Sequence, residues 1–209
     1  MGNIQFEPWI GKDYEANGGI FGKKILILGE SVYCGERCSP CEGCDLFTID
    51  CVNTYVNNDV YDEKGEFRRW TNTYNKFESA LVGKHVPIQD RSKVWNSIVF
   101  YNFFQTALNK AREPLGGELE YDRANDCLRQ VLLKLKPQAI IVWGYRLWEC
   151  LSGENWINTP PIINFEKESR TGYYLINDIK FPFMCINHPS SGFSWTIWHQ
   201  NIKKFLESC

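Results

Sequence analysis

A chain of 209 residues is long enough for one domain with a full core, and 44% hydrophobic against 23% charged residues excludes a disordered or fibrous protein. No run approaches the roughly 18 to 20 apolar residues of a membrane span, and the polar start from Met1 to Glu15 lacks the apolar core of a secretory signal, so a soluble cytoplasmic protein is expected. With 23 Lys and Arg against 25 Asp and Glu, the formal charge of −2 excludes a generic nucleic-acid coat, although a local grip on a few phosphates needs no basic excess.

No repeat, heptad run or linker divides the chain, so a single domain over 1–209 is expected. Residues 1–23 read as an irregular N-terminal arm. Lys24 to Leu28 is a short continuous apolar run ending at Gly29, the pattern of a strand buried on both faces. A cysteine-rich loop insertion follows over 34–51, and then a polar stretch over 57–66 with a turn at Asp62 to Gly65. Trp70, Tyr74, Phe77 and Leu81 have helical spacing. Ile98 to Phe104 predicts a second strand and Pro114 to Gly117 a loop. Tyr121 to Leu135 is an amphipathic helix with Leu128, Val131, Leu132 and Leu135 on one face, stopped by Lys136-Pro137.

Ala139 to Trp143 predicts the third strand, and Gly144 opens a helix to about Leu151. Tyr173 to Ile176 reads as an edge strand, Asn177-Asp178 as a turn, and Phe181 to Ile186 as the last core strand. Ser194 is placed to cap a final helix through Trp195, Trp198, Ile202 and Phe205. Apolar strands alternating with helices predict a parallel sheet covered on both faces, with function gathered at the carboxyl ends of the strands. The residues just past those ends are Gly29-Glu30-Ser31-Val32-Tyr33, Asn102, Gly144 and the stretch from Asn187 to Phe193. A carboxylate, an amide, a histidine and several aromatics would then share one edge, a set suited to reading a heterocycle and cleaving a bond where charge develops.

Nine cysteines and 15% aromatics, eight of them Trp, stand out. Cys127, Cys150, Cys185 and Cys209 are scattered, mostly in apolar surroundings where a thiol behaves as a small hydrophobe. Cys34, Cys38, Cys41, Cys44 and Cys51 are crowded as C-x3-C-x2-C-x2-C-x6-C, and an odd count without a signal peptide speaks against a secreted disulfide scaffold. Short C-x2-C steps let thiolates converge on one ion, so Cys34, Cys38, Cys41 and Cys44 are candidate metal ligands. Tetrahedral zinc and an iron–sulfur cluster both fit the spacing, and plain thiols with no metal are the alternative. The aromatic surplus serves a core first, and stacking on bases or sugars second.

Four segments occur in order: ILILGES, IVFYNFF, LKPQAIIVWGYRLWECL and NHPSSGFS. Together they resemble the uracil-DNA glycosylase superfamily from about Lys24 to the C-terminus. The first is similar to its strand and Gly-Glu loop, the second to the strand whose terminal Asn reads the base, the third to its Lys-Pro strand and Gly turn, and the last to its His-Pro-Ser loop. The resemblance implies a three-layer α/β/α sandwich around a mainly parallel four-stranded sheet. It implies hydrolysis of the N-glycosidic bond of a flipped uracil or modified pyrimidine in DNA, as in base-excision repair, with no cofactor needed for the hydrolysis itself; a monomer is expected.

By the same resemblance His188 stabilises the leaving base, and Glu30 positions water and opposes oxocarbenium charge. Asn102 reads the pyrimidine edge, Tyr33 crowds its C5 side and Trp70 stacks on it. Phe193 is the wedge that fills the vacated stack, and Ser190 and Ser191 donate to phosphate. Each has a plainer alternative: a loop histidine satisfied by backbone, a surface carboxylate, a strand-end amide, core aromatics and loop caps. Ser31 stands where several relatives carry Asp, which puts the activation of water in question. Rival readings are a glycosylase for bulky modified bases of phage DNA, acting in defence, and a nucleic-acid binder of the same fold without hydrolysis. A metal-cluster protein with no DNA role is the last.

Overall fold

Three uninterrupted apolar runs form the middle of the sheet, because a strand covered on both faces has no use for alternation. The computed structural model describes residues 4–33, 44–108, 118–153, 155–163 and 168–209. In chain order the strands are β1 (Trp9–Ile10), β2 (Ile25–Gly29), β3 (Ile98–Asn102), β4 (Ala139–Trp143), β5 (Trp156–Ile163), β6 (Glu168–Ile176) and β7 (Ile179–Ile186). The helices are α1 (Phe47–Val56), α2 (Thr71–Val82), α3 (Ile88–Trp95), α4 (Glu118–Leu135), α5 (Tyr145–Trp148) and α6 (Trp195–Ser208). Every residue of β2, β3 and β4 is buried.

The sheet has seven strands in the order β1-β3-β2-β4-β7-β6-β5. Pairings β3–β2, β2–β4 and β4–β7 are parallel, whereas β1–β3, β7–β6 and β6–β5 are antiparallel. The expected mainly parallel four-stranded sheet is therefore corrected to a seven-stranded mixed sheet, with the four parallel strands at its centre. Antiparallel strands need only short turns, and the Asn177-Asp178 turn supplies one: both residues take positive φ between β6 and β7.

Side chains alternate across the central strands into two cores. Leu26, Leu28, Tyr101, Ile140, Val142 and Phe183 pack with Leu128 and Leu132 of α4 and Leu147 and Trp148 at α5. Ile25, Ile27, Phe100, Ile141 and Trp143 pack with Val52 of α1, Phe77 of α2, Trp95 of α3 and Ile202 of α6. Helices thus cover both faces, and the chain is of the α/β class. Among the described residues no helix is long and apolar enough to cross a membrane.

Some local expectations change. The arm is anchored: β1 pairs with β3, and Gln105 Oε1 accepts the Gln5 and Phe6 amides at 2.8 and 3.1 Å. The cysteine-rich loop does not extend to residue 51, since its end forms the first half of α1. Ser194 precedes α6, but its hydroxyl pairs with Thr196 Oγ1 at 2.9 Å and caps no helix amide.

Candidate functional site

Parallel register brings the strand ends together. Gly29 lies opposite Asn102, and Leu28 opposite Val142, so the loops leaving β2, β3 and β4 start side by side. The amides of Phe103 and Phe104 continue the ladder to the carbonyls of Gly29 and Glu30, both at 2.9 Å. This fixes where Glu30 leaves the sheet. A cavity of about 220 Å³ opens here, and its walls include Glu30, Tyr33, Trp70, Asn102 and His188. A space of this size admits a single-ring heterocycle.

Asn102 is almost wholly buried, and its Nδ2 donates to Thr48 Oγ1 of α1 at 3.0 Å. Thr48 is itself fully buried. Glycine is required at residue 29 by this amide: a Cβ there would lie 2.7 Å from Asn102 Oδ1 and 2.9 Å from the Phe100 ring.

His188 is held by its own loop. The Ser190 amide donates to Nδ1 at 3.2 Å, and the Ser190 hydroxyl lies 2.7 Å from the same nitrogen. A backbone amide can only donate, so Nδ1 is the acceptor and the neutral ring carries its proton on Nε2. Burial supports that state by pushing the imidazole down to about 4. Gly144 makes room behind the ring with φ +102°, where a Cβ would meet His188 Cβ at 3.3 Å. The loop closes with the Ser191 amide donating to the His188 carbonyl at 3.0 Å.

Glu30 is 89% buried at its side chain, and its Oε1 lies 3.2 Å from Arg146 Nε of α5. Burial raises its carboxyl above the usual range, and the Arg146 charge opposes that shift. Ser31 also lines the cavity, but its hydroxyl donates to the Thr106 carbonyl at 3.1 Å and ties the loop to the segment after β3. Tyr33 is 43% exposed. Burial and then Glu30 raise its phenol.

The apolar wall is aromatic. Trp70 stands half-buried at the start of α2, edge-on to Tyr74 at 5.3 Å, and so both packs and borders the cavity. Tyr74, Phe100 and Trp143 complete the wall, with Trp143 5.0 Å from Phe100 and 6.0 Å from the His188 ring. These flat faces suit a planar ligand.

Ser190 and Ser191 are exposed beside the cavity. Phe193, expected as an exposed wedge, is instead half-buried, parallel to Trp198 at 6.0 Å and packed on the core beneath α6. Cys34, Cys38 and Cys41 lie outside the described residues. Cys44 is half-buried just before α1, and among the described residues no three His, Cys, Asp or Glu side chains gather to hold a metal. Cys51 belongs to the cavity wall, where burial pushes its thiol up to about 12 and keeps it protonated.

Sequence reasoning passed over Thr48, Cys51, Tyr74, Trp143 and Arg146. Trp143 is the last residue of β4 and was available to the same strand-end rule, which had been applied at Gly144. Thr48 carried no signal, because α1 was hidden in a cysteine loop. The chain matches no protein-family model and no curated protein.

Proposed function

We propose that this cavity receives a flipped pyrimidine, uracil or a modified relative, and that the protein hydrolyses its N-glycosidic bond in DNA. The supporting observation is the convergence on one aromatic-walled cavity of an imidazole whose Nδ1 accepts from the Ser190 amide, a buried carboxylate and a fixed amide. As the base departs, negative charge grows on its carbonyl oxygens and positive charge on the sugar. A donor and a carboxylate already in place stabilise both without reorganising. A water attacks the anomeric carbon, the bond to the base nitrogen breaks, and the water's proton passes to Glu30. Free base and an abasic deoxyribose result. Extrusion costs a few kcal/mol, offset by stacking on the wall and by hydrogen bonds to the base edge.

The Ser31 hydroxyl is engaged with the Val32 and Thr106 carbonyls, so in this reading Glu30 handles the water. The same observation favours one second reading, a pocket that binds a flipped base and does not cleave it. Incubating the protein with single- and double-stranded oligonucleotides carrying uracil and 5-substituted pyrimidines, and scoring alkali-labile sites, separates the two. Strand breaks at the modified position are expected. Tight binding without breaks favours the binder, and neither breaks nor binding refutes both.

A further inference from the structure

We infer that Arg146 is a positioning residue of this site: it clamps the Glu30 carboxylate, fixing Oε1 against the guanidinium and leaving Oε2 for the reacting water. The inference rests on the proposed hydrolysis for its catalytic meaning, but the clamp itself is a property of the fold. β2 and β4 are neighbours in parallel register, so the residues beyond their carboxyl ends emerge together. Gly144, with φ +102°, turns the chain at once into α5, and Arg146 on that helix comes back over the end of β2.

The contact is one-sided. Arg146 Nε lies 3.2 Å from Oε1, while the side chains are 35% and 11% exposed, so the cation keeps more water than the carboxylate does. Oε1 is buried and makes no hydrogen bond of good geometry. A carboxylate so placed costs several kcal/mol unless a charge faces it. Among the described residues, the other ionisable groups around it are Tyr33 on its own loop, Tyr121 of α4, Cys150 after α5, and His188 and Cys51 across the cavity. All are uncharged at neutral pH: burial raises the phenols, pushes Cys150 up to about 11 and Cys51 to about 12, and lowers His188. Among the described residues, the positive charge that offsets the burial of Glu30 is therefore Arg146. Without it the carboxyl holds its proton to higher pH, and a protonated Glu30 neither accepts a proton from water nor opposes an oxocarbenium ion.

The test uses carboxyl carbon NMR on full-length protein with labelled glutamate, the Glu30 signal being assigned by its loss in Glu30→Gln. In Arg146→Gln the Glu30 midpoint is expected to rise by about one pH unit or more, the low end for an opposite charge at this distance because Arg146 is partly exposed. Single-turnover excision should show its acid limb moved by the same amount, about tenfold slower on the acid side. Arg146→Met, which keeps the apolar stem, is read in the same way if the glutamine variant does not fold. A folded variant whose Glu30 midpoint equals that of the parent overturns the clamp. A parent that releases no base overturns the proposed hydrolysis instead, and the carbon titration still decides the clamp.

Discussion

Replacing His188 by alanine removes a donor whose state is set by local geometry. Because the Ser190 amide occupies Nδ1, the proton on Nε2 is the one available to a ligand, and it stays on a neutral ring above about pH 4. Loss of one such preorganised donor commonly slows the chemical step by roughly a hundred- to a thousandfold, about 3 to 4 kcal/mol. Binding of the oligonucleotide should change little, since the charge that the donor meets develops only as the base leaves. Single-turnover excision across pH 5 to 8 makes the assay specific. With the ring neutral throughout, the ratio of parent to His188→Ala should stay flat over that range. An ordinary histidine titrating near 6.5 would change the ratio through that pH. Stability carries the same signature with a definite sign. The unfolded ring takes a proton near pH 6.5 and the folded ring only near 4, so the unfolded state binds more protons in between and stability falls as pH drops through that window. The loss reaches on the order of 3 kcal/mol by pH 4, and His188→Ala should abolish it. Excision by the variant at the parent rate, or a ratio that swings near pH 6.5, refutes the assigned tautomer.

Gly144→Ala must strain a backbone at φ +102° and push a methyl to 3.3 Å from His188 Cβ, so kcat should fall with KM nearly unchanged in steady-state excision. Thr48→Val leaves the Asn102 amide without its acceptor, costing about 1–3 kcal/mol in urea denaturation and relaxing the choice among pyrimidines. Glu78 of α2 is fully buried, accepting from Tyr55 at 2.5 Å and Trp95 at 3.0 Å beside Arg91 at 3.5 Å. Glu78→Ala strands that cation and should cost about 3–5 kcal/mol, seen as a Tm fall of roughly 2–4 °C per kcal/mol; a change within 0.5 kcal/mol would count against the account of this tie. Element analysis of anaerobically purified protein is expected to find zinc or iron held by Cys34, Cys38, Cys41 and Cys44, and protein carrying neither removes that assignment.

The parallel centre of the sheet was legible because its strands are continuous apolar runs: Ala139–Trp143 has the bounds read from the sequence, and Ile25–Gly29 and Ile98–Asn102 lie within two residues of theirs. Helix α4 was equally plain from its apolar stripe. Elements with mixed signals were not. Trp156–Ile163 carries Pro160 and Pro161, which argue against a strand and are tolerated because β5 lies at the sheet edge. With β5 unseen, Tyr173 to Ile176 was read as the edge, although β6 lies between β5 and β7. Phe47–Val56 mixes Thr, Asp and Asn into a helix that opens just after Cys44, so the places of Thr48 and Cys51 at the site were not legible. Of the cavity residues found from sequence, Glu30, Tyr33, Asn102 and His188 lie at or just past strand ends, where one rule applies to all, and Trp70 came from the helical stripe of α2. Apart from Trp143 at the end of β4, those missed sit on helices packed across those ends, and their proximity is a matter of tertiary register that no local pattern carries.

The central claim is that one cavity performs hydrolysis of a base from DNA. Its most direct measurement is mass spectrometry of free base released from a uracil-containing oligonucleotide, comparing the parent with Glu30→Gln and His188→Ala prepared identically. The account expects free base in stoichiometric amount with abasic strands from the parent, and release at least a hundredfold slower from His188→Ala. Equal release by all three preparations would place the activity elsewhere. No release from uracil or from any 5-substituted pyrimidine would contradict the claim outright.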